Sequence, residues 1–564
     1  MSSQQLIECV PNFSEGVDMS VIRAITDEIS GTEGVRLLDV DPGKATNRTV
    51  VTFVGEPEAV IEAAFLAIKM ASQLIDMSTH KGEHPRMGAT DVCPLIPIAN
   101  ISMEETVQYA EKLGARVGKE LHIPIYLYEA AAKKPDRKNL ATIRSGEYEG
   151  FAKKITDPNW KPDYGPNTFN IKAGATVIGA RDFLVAYNVN LNSTSVRRAN
   201  AIAFDIRENG RIKRKGNKLS GEIERDADGN AIRIPGMLKS VKAIGWYIEE
   251  YGVAQISMNL TDINVTSLHE AFDATVQSAT NRGIRVTGSE LVGLVPKKVL
   301  IDTGKHFLRK QNRSVGVSEA QIIHIAVKSL GLDELGPFDP KKKVIEYLLD
   351  EDKNTPLVEM DLKAFADETA SESPAPGGGS ISAYVGALGV SLGTMVANLS
   401  SHKRGWDSKW EYFSTAAETG QKIKDELLML VDEDTAAFNK IMAAFKLPKS
   451  TDTEKAQRKL AISDATKYAI EIPLRVMKTA ASAYPMLQDM ATNGNPASAS
   501  DAGVGALCVH TAIHGALLNV QINCSGFKEK DYVANVLREG QDILKASENS
   551  RDDVLAKVDK LISA

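Results

Sequence analysis

The densest group of reactive side chains lies between Ser78 and Asp91, in the sequence STHKGEHPRMGATD. It holds two histidines, a lysine, an arginine and two acids, and it connects a predicted helix to a predicted strand. An imidazole titrates near neutral pH, so it can both accept and release a proton during a reaction. The segment therefore indicates a non-metal acid–base histidine in a positively charged loop. A loop held together by ion pairs is the structural alternative.

A zinc site is a second functional interpretation of the same segment. His80, Glu83 and His84 match the H-x-x-E-H pattern of some zinc hydrolases. That pattern needs a helix, which brings both imidazoles to one face. Gly82 and Pro85 disfavour a continuous helix here, so the spacing favours the acid–base interpretation.

Asp41 closes a predicted strand, and Asn47 and Arg48 begin the next one. The ends of strands expose side chains that the sheet holds in place. Asp41 is therefore a candidate to orient or polarise a histidine. A turn aspartate before Pro42 and Gly43 is the structural alternative.

A second candidate acid, Asp434, lies on the apolar stripe of a predicted helix. A carboxylate on a buried stripe destabilises the fold unless it is paired or functional. A helix cap or a buried salt bridge is the structural alternative. Asp432 is predicted to face solvent, because it lies off the stripe. The stripe consists of Leu427, Val431, Phe438 and Ile441.

A glycine-rich segment, PAPGGGS at 374–380, leads into a long predicted helix. Gly377, Gly378 and Gly379 would let backbone amides approach a ligand, and the helix N-terminus would favour an anion. A flexible linker that ends in a serine cap is the alternative.

These candidates need two kinds of scaffold. The periodicities of the first hundred residues follow the order β-α-β-β-α-β, which is typical of a ferredoxin-like sheet. A second α/β unit begins near Asp182, and long helical patterns dominate beyond the polar segment 350–356. The sequence thus predicts a multidomain protein with two ferredoxin-like α/β subdomains (1–183 and 184–338), a linker (339–358) and an all-α helical bundle (359–564).

Two apolar segments, Ile381–Ser400 and Ala506–Asn523, are almost free of charge over nearly the ~20 residues that a membrane span needs. Both are rich in small and polar residues rather than in Leu, Ile and Phe. They therefore predict helices buried in a soluble bundle, where small residues permit close approach.

The overall composition limits the classes of partner and the cellular compartment that we expect. A net charge of −6 argues against a general affinity for nucleic acid. Four cysteines without a C-x-x-C, and an N-terminus unlike a signal peptide, favour a cytoplasm-like compartment. The polar excursion 207–236, with its basic cluster 211–218, predicts a solvated loop or a lid over an anionic ligand.

Several segments together resemble the formiminotransferase–cyclodeaminase family, nearly from end to end. The most specific is HKGEHPRMGATDVCP at 80–94. The others are ECVPNFSEG (8–16), LLDVD (37–41), TNRTV (46–50), IRSGEYEG (143–150), AIGWY (243–247), LVGLVP (291–296), PAPGGGS (374–380), VDEDTAAF (431–438) and GNPASASD (494–501).

The resemblance implies two consecutive enzymes of histidine degradation, glutamate formimidoyltransferase and formimidoyltetrahydrofolate cyclodeaminase. It implies that His84 is the transferase histidine, Asp41 its acidic neighbour and Asp434 the cyclodeaminase acid. Lys239 and Lys242 would meet folate carboxylates. The full set of implied substrate- and folate-binding residues is Gly165, Pro166, Asn167, Thr168, Phe169, Gly174, Gly236, Lys239, Lys242, Gly245, Gly377, Gly378 and Gly379.

The expected ligands are N-formimino-L-glutamate and, as a co-substrate, tetrahydrofolate with or without a polyglutamate tail. No metal, nucleic acid or membrane is expected, and the resemblance implies a cytoplasmic homo-oligomer. One imidazole of near-neutral pKa would serve both proton transfers of the first reaction. Burial would raise the pKa of Asp434, so that it could protonate the departing ammonia.

Overall fold

The computed structural model describes residues 5–44, 46–82, 84–217, 221–350 and 355–563. The chain forms two compact units, Met1–Val299 with Leu330–Asp350, and Leu300–Ser329 with Glu351–Ala564. The first unit contains all the described strands, and the second is helical. The predicted order, an α/β region followed by a helical region, is therefore confirmed. Glu83 of the zinc pattern and Lys218 of the basic cluster lie outside the described residues.

The α/β region alternates strands and helices from its first described residues. Its elements are β1 Leu6–Cys9, β2 Asn12–Phe13, α1 Met19–Ser30, β3 Val35–Gly43, β4 Arg48–Gly55, α2 Pro57–Leu74, β5 Thr90–Ala99, α3 Met103–Glu120, β6 Ile125–Glu129, α4 Leu140–Arg144, α5 Glu147–Lys154, β7 Thr176–Ala180, β8 Val185–Leu191, α6 Val196–Ile206, β9 Arg211–Ile212, β10 Arg233–Ile234, β11 Val241–Ile248, β12 Val253–Leu260, α7 Leu268–Thr280 and β13 Val286–Val292.

Seven strands form one mixed sheet, in the order β3–β4–β1/β2–β5–β7–β6. Strands β1 and β2 are successive pieces that both pair with β4 and β5. Strands β4 and β5 run antiparallel to β2, so their first residues lie at the same end of the sheet. This topology brings Arg48, the first residue of β4, to the loop that precedes β5.

The two faces of this sheet differ in chemistry. Val51 and Phe53 of β4 point to the core formed with helices α1, α2 and α3. The alternate residues, Arg48 and Val50, point to the opposite face, because side chains alternate along a strand. We call this opposite face the polar face.

Three further side chains share the polar face by register. Asn12 and Asp41 both lie opposite Val50, and Glu8 lies opposite Val54. Toward β5, β7 and β6, the same side of the sheet is apolar, and helices α4 and α5 cover it. The polar side chains of the sheet therefore lie on the strands next to the loop of residues 75–89, which we call the histidine loop.

A second, antiparallel sheet has the strand order β11–β12–β8–β13. Helix α6 packs on β11 and β12, and α7 packs on β13. A Cβ on Gly245 of β11 would lie 2.3 Å from the backbone nitrogen of Asn200 in α6. Glycine is therefore what allows α6 to pack so closely on this sheet.

Helices account for the rest of the described chain. They are α8 Lys297–Lys310, α9 Glu319–Leu330, α10 Pro340–Lys343, α11 Ile345–Asp350, α12 Leu362–Thr369, α13 Gly378–Ser401, α14 Trp410–Lys446, α15 Asp452–Ala481, α16 Tyr484–Asn493, α17 Ala499–Cys524 and α18 Lys530–Ile562.

The helical unit is built around α13 and α17, the two segments that the sequence marked as apolar. Both are long and apolar enough to cross a membrane by length and composition alone. Of their most apolar windows, 61% and 50% are buried against the rest of the protein. A Cβ on Gly389 of α13 would lie 2.7 Å from the carbonyl oxygen of Gly505 in α17. The prediction that small residues permit close helix approach is confirmed.

Three elements differ from the sequence prediction. Leu300–Ser329 belongs to the helical unit, where the backbone amide of Val315 donates to Ser414 of α14 at 2.9 Å. The predicted linker 339–358 begins with two helices, α10 and α11, and Val344 pairs with Val295. Helix α16 was missed, because Pro485 and the nearby turn residues masked its short periodicity.

Two candidate active sites

His84 lies in the histidine loop, between helix α2 and strand β5, and it is partly buried. Its Nδ1 lies 2.7 Å from the carbonyl oxygen of Pro85. A carbonyl oxygen only accepts, so Nδ1 carries the proton and Nε2 has the free lone pair. The ring is therefore held in the tautomer whose Nε2 can act as a base.

Arg48 covers that lone pair. Its Nη1 donates to Nε2 of His84 and lies 2.9 Å from Nδ1, and its Nη2 donates to Oδ1 of Asn12. Nε of Arg48 is buried without a hydrogen-bond partner. Burial lowers the pKa of Arg48 to about 10, so the guanidinium remains charged at neutral pH.

The surroundings keep His84 neutral. Burial, followed by the positive charges of Arg48 and Arg144, lowers its pKa to about 4. The Pro85 carbonyl and Asp91 oppose this effect. The expectation of a near-neutral imidazole pKa was wrong, because sequence spacing showed neither the burial of the ring nor the two guanidinium groups that act on it.

Asp91 and Arg144 form the base of the histidine loop. Asp91 is fully buried, accepts from the backbone amide of Met87 at 3.0 Å and pairs with Arg144. The pair therefore anchors one end of the loop to helix α4.

His80, the other histidine of the zinc pattern, has different partners. Its Nδ1 accepts from Nε of Arg86 at 3.2 Å, and its Nε2 donates to the carbonyl oxygen of Asn47 at 3.1 Å. Arg86 is buried and also pairs with Glu147 and Glu149. Both nitrogens of His80 are thus used in fixing the loop. Within the described ranges, no group of three or more His, Cys, Asp and Glu side chains is arranged to hold a metal ion.

Asp41 does not contact His84. In the described part of the chain, no hydrogen bond or ion pair joins the two side chains, and Arg48 is the charged group that touches the ring. Asp41 lies opposite Val50, so it is a diagonal neighbour of Arg48 on the polar face. Its predicted role as the acidic neighbour of the histidine stays a prediction.

Asp434 occupies a different kind of site, where α14 meets the N-terminus of α13. Its carboxylate accepts from the backbone amide of Ser380, and Oγ of Ser380 lies 3.3 Å from Oδ2. That hydroxyl also donates to the carbonyl oxygen of Val431 at 2.8 Å. A Cβ on Gly379 would lie 2.2–2.5 Å from the carboxylate atoms of Asp434. The glycine therefore makes room for this acid.

Burial raises the pKa of Asp434, while the hydrogen bonds from Ser380 lower it by a smaller amount. The raised pKa was expected from the apolar stripe. The stripe is interrupted rather than continuous: Leu427 and Val431 are buried and Ile441 packs against the core, but Phe438 is 38% exposed. Asp432 does not simply face solvent, since it accepts from the backbone amides of Leu357 and Val358 at 3.0 and 3.3 Å.

Three successive parts of the chain match known protein families. Residues 6–181 match the N-terminal subdomain of the formiminotransferase domain, residues 186–350 match the formiminotransferase domain, and residues 361–542 match formiminotransferase-cyclodeaminase. The formimidoyltransferase-cyclodeaminase of Mus musculus is 44% identical over 545 residues, which cover 95% of this chain and 97% of the mouse protein. The chain belongs to the formimidoyltransferase-cyclodeaminase family.

Two shorter relatives resemble parts of this family member. The glutamate formimidoyltransferase of Thermoplasma acidophilum is 42% identical over 306 residues, 54% of this chain and 92% of the relative. The methenyltetrahydrofolate cyclohydrolase of Methylorubrum extorquens is 32% identical over 183 residues, 32% of this chain and 88% of the relative. Each relative is thus matched over most of its own length.

The first segment predicted to bind folate, 165–174, lies partly beside the histidine loop. Gly174 has φ +69° and pairs with Gly88, and a Cβ there would lie 2.2 Å from the carbonyl oxygen of Met87. Gly165 has φ +81°, and a Cβ there would lie 2.3 Å from the carbonyl oxygen of Ile123. Phe169 contacts the rings of Tyr148 and Phe151, while Pro166 is partly exposed and Asn167 and Thr168 are exposed.

The second segment, 236–245, has mixed surroundings. Gly236 and Gly245 pack closely on backbone atoms at the end of α6 and in its first half, which explains both glycines without a ligand. Lys239 lies 3.7 Å from Glu208, and Lys242 is exposed on β11, where its charge acts on Glu129 of β6. Both lysines remain open to an anion.

The third predicted binding segment consists of Gly377, Gly378 and Gly379. Among these three, only Gly379 lies against a catalytic candidate, Asp434. Gly378 lies near the side-chain amide of Asn519, and a Cβ on Gly377 would meet no atom closer than 3.9 Å. The sequence analysis gave no role to Asn12 or Arg144, and it considered Ser380 only as a helix cap. Arg48 was noted only as the start of a strand. An arginine that opens a β-branched run was the available signal.

Proposed function

We propose that this chain catalyses two consecutive steps on tetrahydrofolate, as its family membership indicates. The first unit transfers the formimino group from N-formimino-L-glutamate to N5 of tetrahydrofolate. The second unit cyclises 5-formiminotetrahydrofolate to 5,10-methenyltetrahydrofolate and releases ammonia. The observation that carries this proposal is the 44% identity that extends over 97% of a relative named for both activities.

In the transfer step, N5 attacks the formimino carbon and the bond from that carbon to the glutamate nitrogen breaks. Nε2 of His84 takes the proton that N5 loses and delivers it to the departing nitrogen. A base with a pKa of about 4 is weak, but it is unprotonated at neutral pH. The imidazolium that forms is then a strong acid toward the glutamate nitrogen.

In the cyclisation, N10 attacks the carbon of the protonated formimino group (N5–CH=NH2+), and the NH2 group that results leaves as ammonia once it gains one more proton. Burial favours the protonated form of Asp434, which can supply a proton to that nitrogen. N10 loses a proton in turn, so the acid is restored when the carboxylate recovers it. Neither step calls for a metal.

The remaining parts of the proposal rest on the resemblance and on the strand orders. We infer a cytoplasmic homo-oligomer in histidine degradation, acting on folate with or without a polyglutamate tail. The orders β3–β4–β1/β2–β5 and β11–β12–β8–β13 support two ferredoxin-like subdomains, the first extended by β7 and β6. The proposed domains are residues 1–183, 184–338 and 359–564, with the segment Leu300–Ser329 assigned to the helical unit.

The purified protein, incubated with N-formimino-L-glutamate and tetrahydrofolate, tests the proposal through the absorbance of 5,10-methenyltetrahydrofolate. Ammonia and L-glutamate should form in equal amounts. Supplying 5-formiminotetrahydrofolate directly tests the second step alone. A protein that binds folate yet forms neither product would contradict the proposal.

A further inference from the structure

Among the residues that the structure describes, the hydrogen-bond partners of Arg48 are all uncharged. In the described structure its guanidinium donates to His84 and to Oδ1 of Asn12, and its Nε has no partner. Asp91 acts on it only at a distance, because its oxygens are bound to Arg144 and to the Met87 amide. Buried charges in proteins are usually paired with an opposite charge. Arg48 therefore has the capacity for an anion that the described residues do not supply.

The position of Arg48 also blocks the chemistry of His84. Nδ1 of the ring donates to the Pro85 carbonyl, so Nε2 holds the only free lone pair. Nη1 of Arg48 donates to that nitrogen. A lone pair engaged with a guanidinium cannot accept a proton from a substrate, so Arg48 must move before the transfer begins.

A carboxylate is the group best suited to move it. The planar fork of a guanidinium binds a carboxylate through two parallel charge-assisted hydrogen bonds, which are stronger than its bonds to neutral acceptors. N-formimino-L-glutamate carries two carboxylates. We propose that Arg48 binds one of them and, in turning toward it, uncovers Nε2 of His84.

This inference rests on the proposed transferase function and makes Arg48 a specificity-determining residue for it. Substrate binding would neutralise the guanidinium and free the base in the same movement. Without the dicarboxylate, the base stays covered. The carboxylates of the folate tail are the other source of the same chemistry, and the experiment must separate the two.

The kinetic test compares wild type with Arg48→Met. N-formimino-L-glutamate is compared with its α-amide and with its side-chain amide, each lacking one charge. Wild type should lose ~10- to ~100-fold in kcat/KM with the amide that removes the bound carboxylate. The kcat/KM of Arg48→Met with the dicarboxylate should be lower than that of wild type by a similar factor. The variant should have the same kcat/KM for the dicarboxylate and for that amide. KM for tetrahydrofolate and for its triglutamate should stay unchanged.

Two controls keep the result interpretable. Arg23→Met removes an exposed arginine of α1, on the other side of the sheet, and should leave all values at wild-type levels. Cyclodeamination of supplied 5-formiminotetrahydrofolate should persist in Arg48→Met. If that variant does not fold, Arg48→Lys keeps the charge without the fork and should show a reduced preference for the dicarboxylate.

The inference is overturned if Arg48→Met, or Arg48→Lys in its place, retains the full preference for the dicarboxylate. It is equally overturned if only KM for the folate triglutamate rises, because the anion would then be the folate tail. An inactive wild type would instead contradict the proposed function.

A spectroscopic measurement tests the inference without turnover. The imidazole nitrogens of 15N-histidine protein, assigned with His84→Gln, are titrated with and without L-glutamate as the probe. The groups acting on His84 are Arg48, Arg144, Asp91 and the Pro85 carbonyl. Glutamate should raise the pKa of His84 in wild type and leave it unchanged in Arg48→Met. An unchanged pKa in both proteins would contradict the uncovering of Nε2.

Discussion

The sites around His84 and Asp434 hold a proton-transfer group in opposite ways. Burial moves both groups toward their neutral forms, because a low-dielectric surrounding disfavours charge. For His84 the neutral form is a base, and two arginines strengthen the effect. For Asp434 the neutral form is an acid, and hydrogen bonds from Ser380 weaken the effect. The comparison teaches that one physical cause can prepare a base in one unit and an acid in the other.

The largest expected effect divides the two activities. His84→Ala should lower formimino transfer by ~10²- to ~10⁴-fold, the usual range for an acid–base group, and leave cyclodeamination intact. Asp434→Asn should do the reverse. Separate assays with N-formimino-L-glutamate and with 5-formiminotetrahydrofolate measure the two steps. Loss of both activities in a folded His84→Ala protein would show that the sites are not independent.

A second variant tests how closely the acid is positioned. Gly379→Ala places a methyl group within 2.2–2.5 Å of the Asp434 carboxylate, so the acid must shift. Cyclodeamination should fall by roughly 10- to 100-fold, because displacements near 1 Å are enough for such losses. Transfer should persist.

The matched control for this variant is Gly503→Ala, in α17 of the same unit. Its Cβ would meet Val558 and Leu555 at 3.4–3.6 Å, which is ordinary contact. This variant should retain cyclodeamination. Equal activity in the two alanine variants would remove the argument that Asp434 is tightly placed.

The pH dependence of the two steps should differ in sign. Burial and the neighbouring arginines lower the pKa of His84 to about 4, so its basic form persists as pH falls and is lost only near pH 4. The acid form of Asp434 is lost as pH rises through its raised pKa. The kcat/KM of transfer, which reports the free enzyme, should therefore resist acid, and cyclodeamination should decline toward alkaline pH. Rate profiles that fall together on the same side would contradict this assignment.

Ser380→Ala sharpens the same comparison. It removes the Oγ that lies 3.3 Å from Oδ2 of Asp434 and helps to stabilise the carboxylate. The pKa of Asp434 should rise further, and the alkaline limb of the cyclodeamination profile should move to higher pH. The transfer profile serves as the internal control and should not move.

The smallest effect concerns stability rather than rate. Burial raises the pKa of Glu8, on the polar face, to about 7. Between pH 4.5 and 7 the folded state binds more protons at this site than the unfolded state, so Glu8 destabilises the fold increasingly as pH rises. Glu8→Gln should gain about 3 kcal/mol in unfolding free energy relative to wild type between pH 5 and pH 8.

Urea unfolding at both pH values measures this difference, with the exposed Glu33→Gln as the control. A difference that does not change with pH would show that Arg181, whose charge opposes the burial effect, keeps Glu8 ionised in the folded protein.

The fold was largely predictable, because most of its signals are local. The alternation around β4 and the helical spacing of α13 and α17 depend on neighbouring residues alone. Helix α16 and the membership of Leu300–Ser329 were not predictable in this way. The latter depends on contacts such as Val315 with Ser414, which are 99 residues apart.

The sequence by itself determined the two scaffolds, the family and the candidates His84 and Asp434. Only the tertiary structure decided what surrounds them. Arg48 reaches His84 across 36 residues because β4 and β5 start at the same end of one sheet. Ser380 and Asp434 are 54 residues apart in the sequence, and they meet because the first turn of α13 packs against α14. Desolvation and these long-range contacts set the protonation state of each group, and neither quantity is encoded in local spacing.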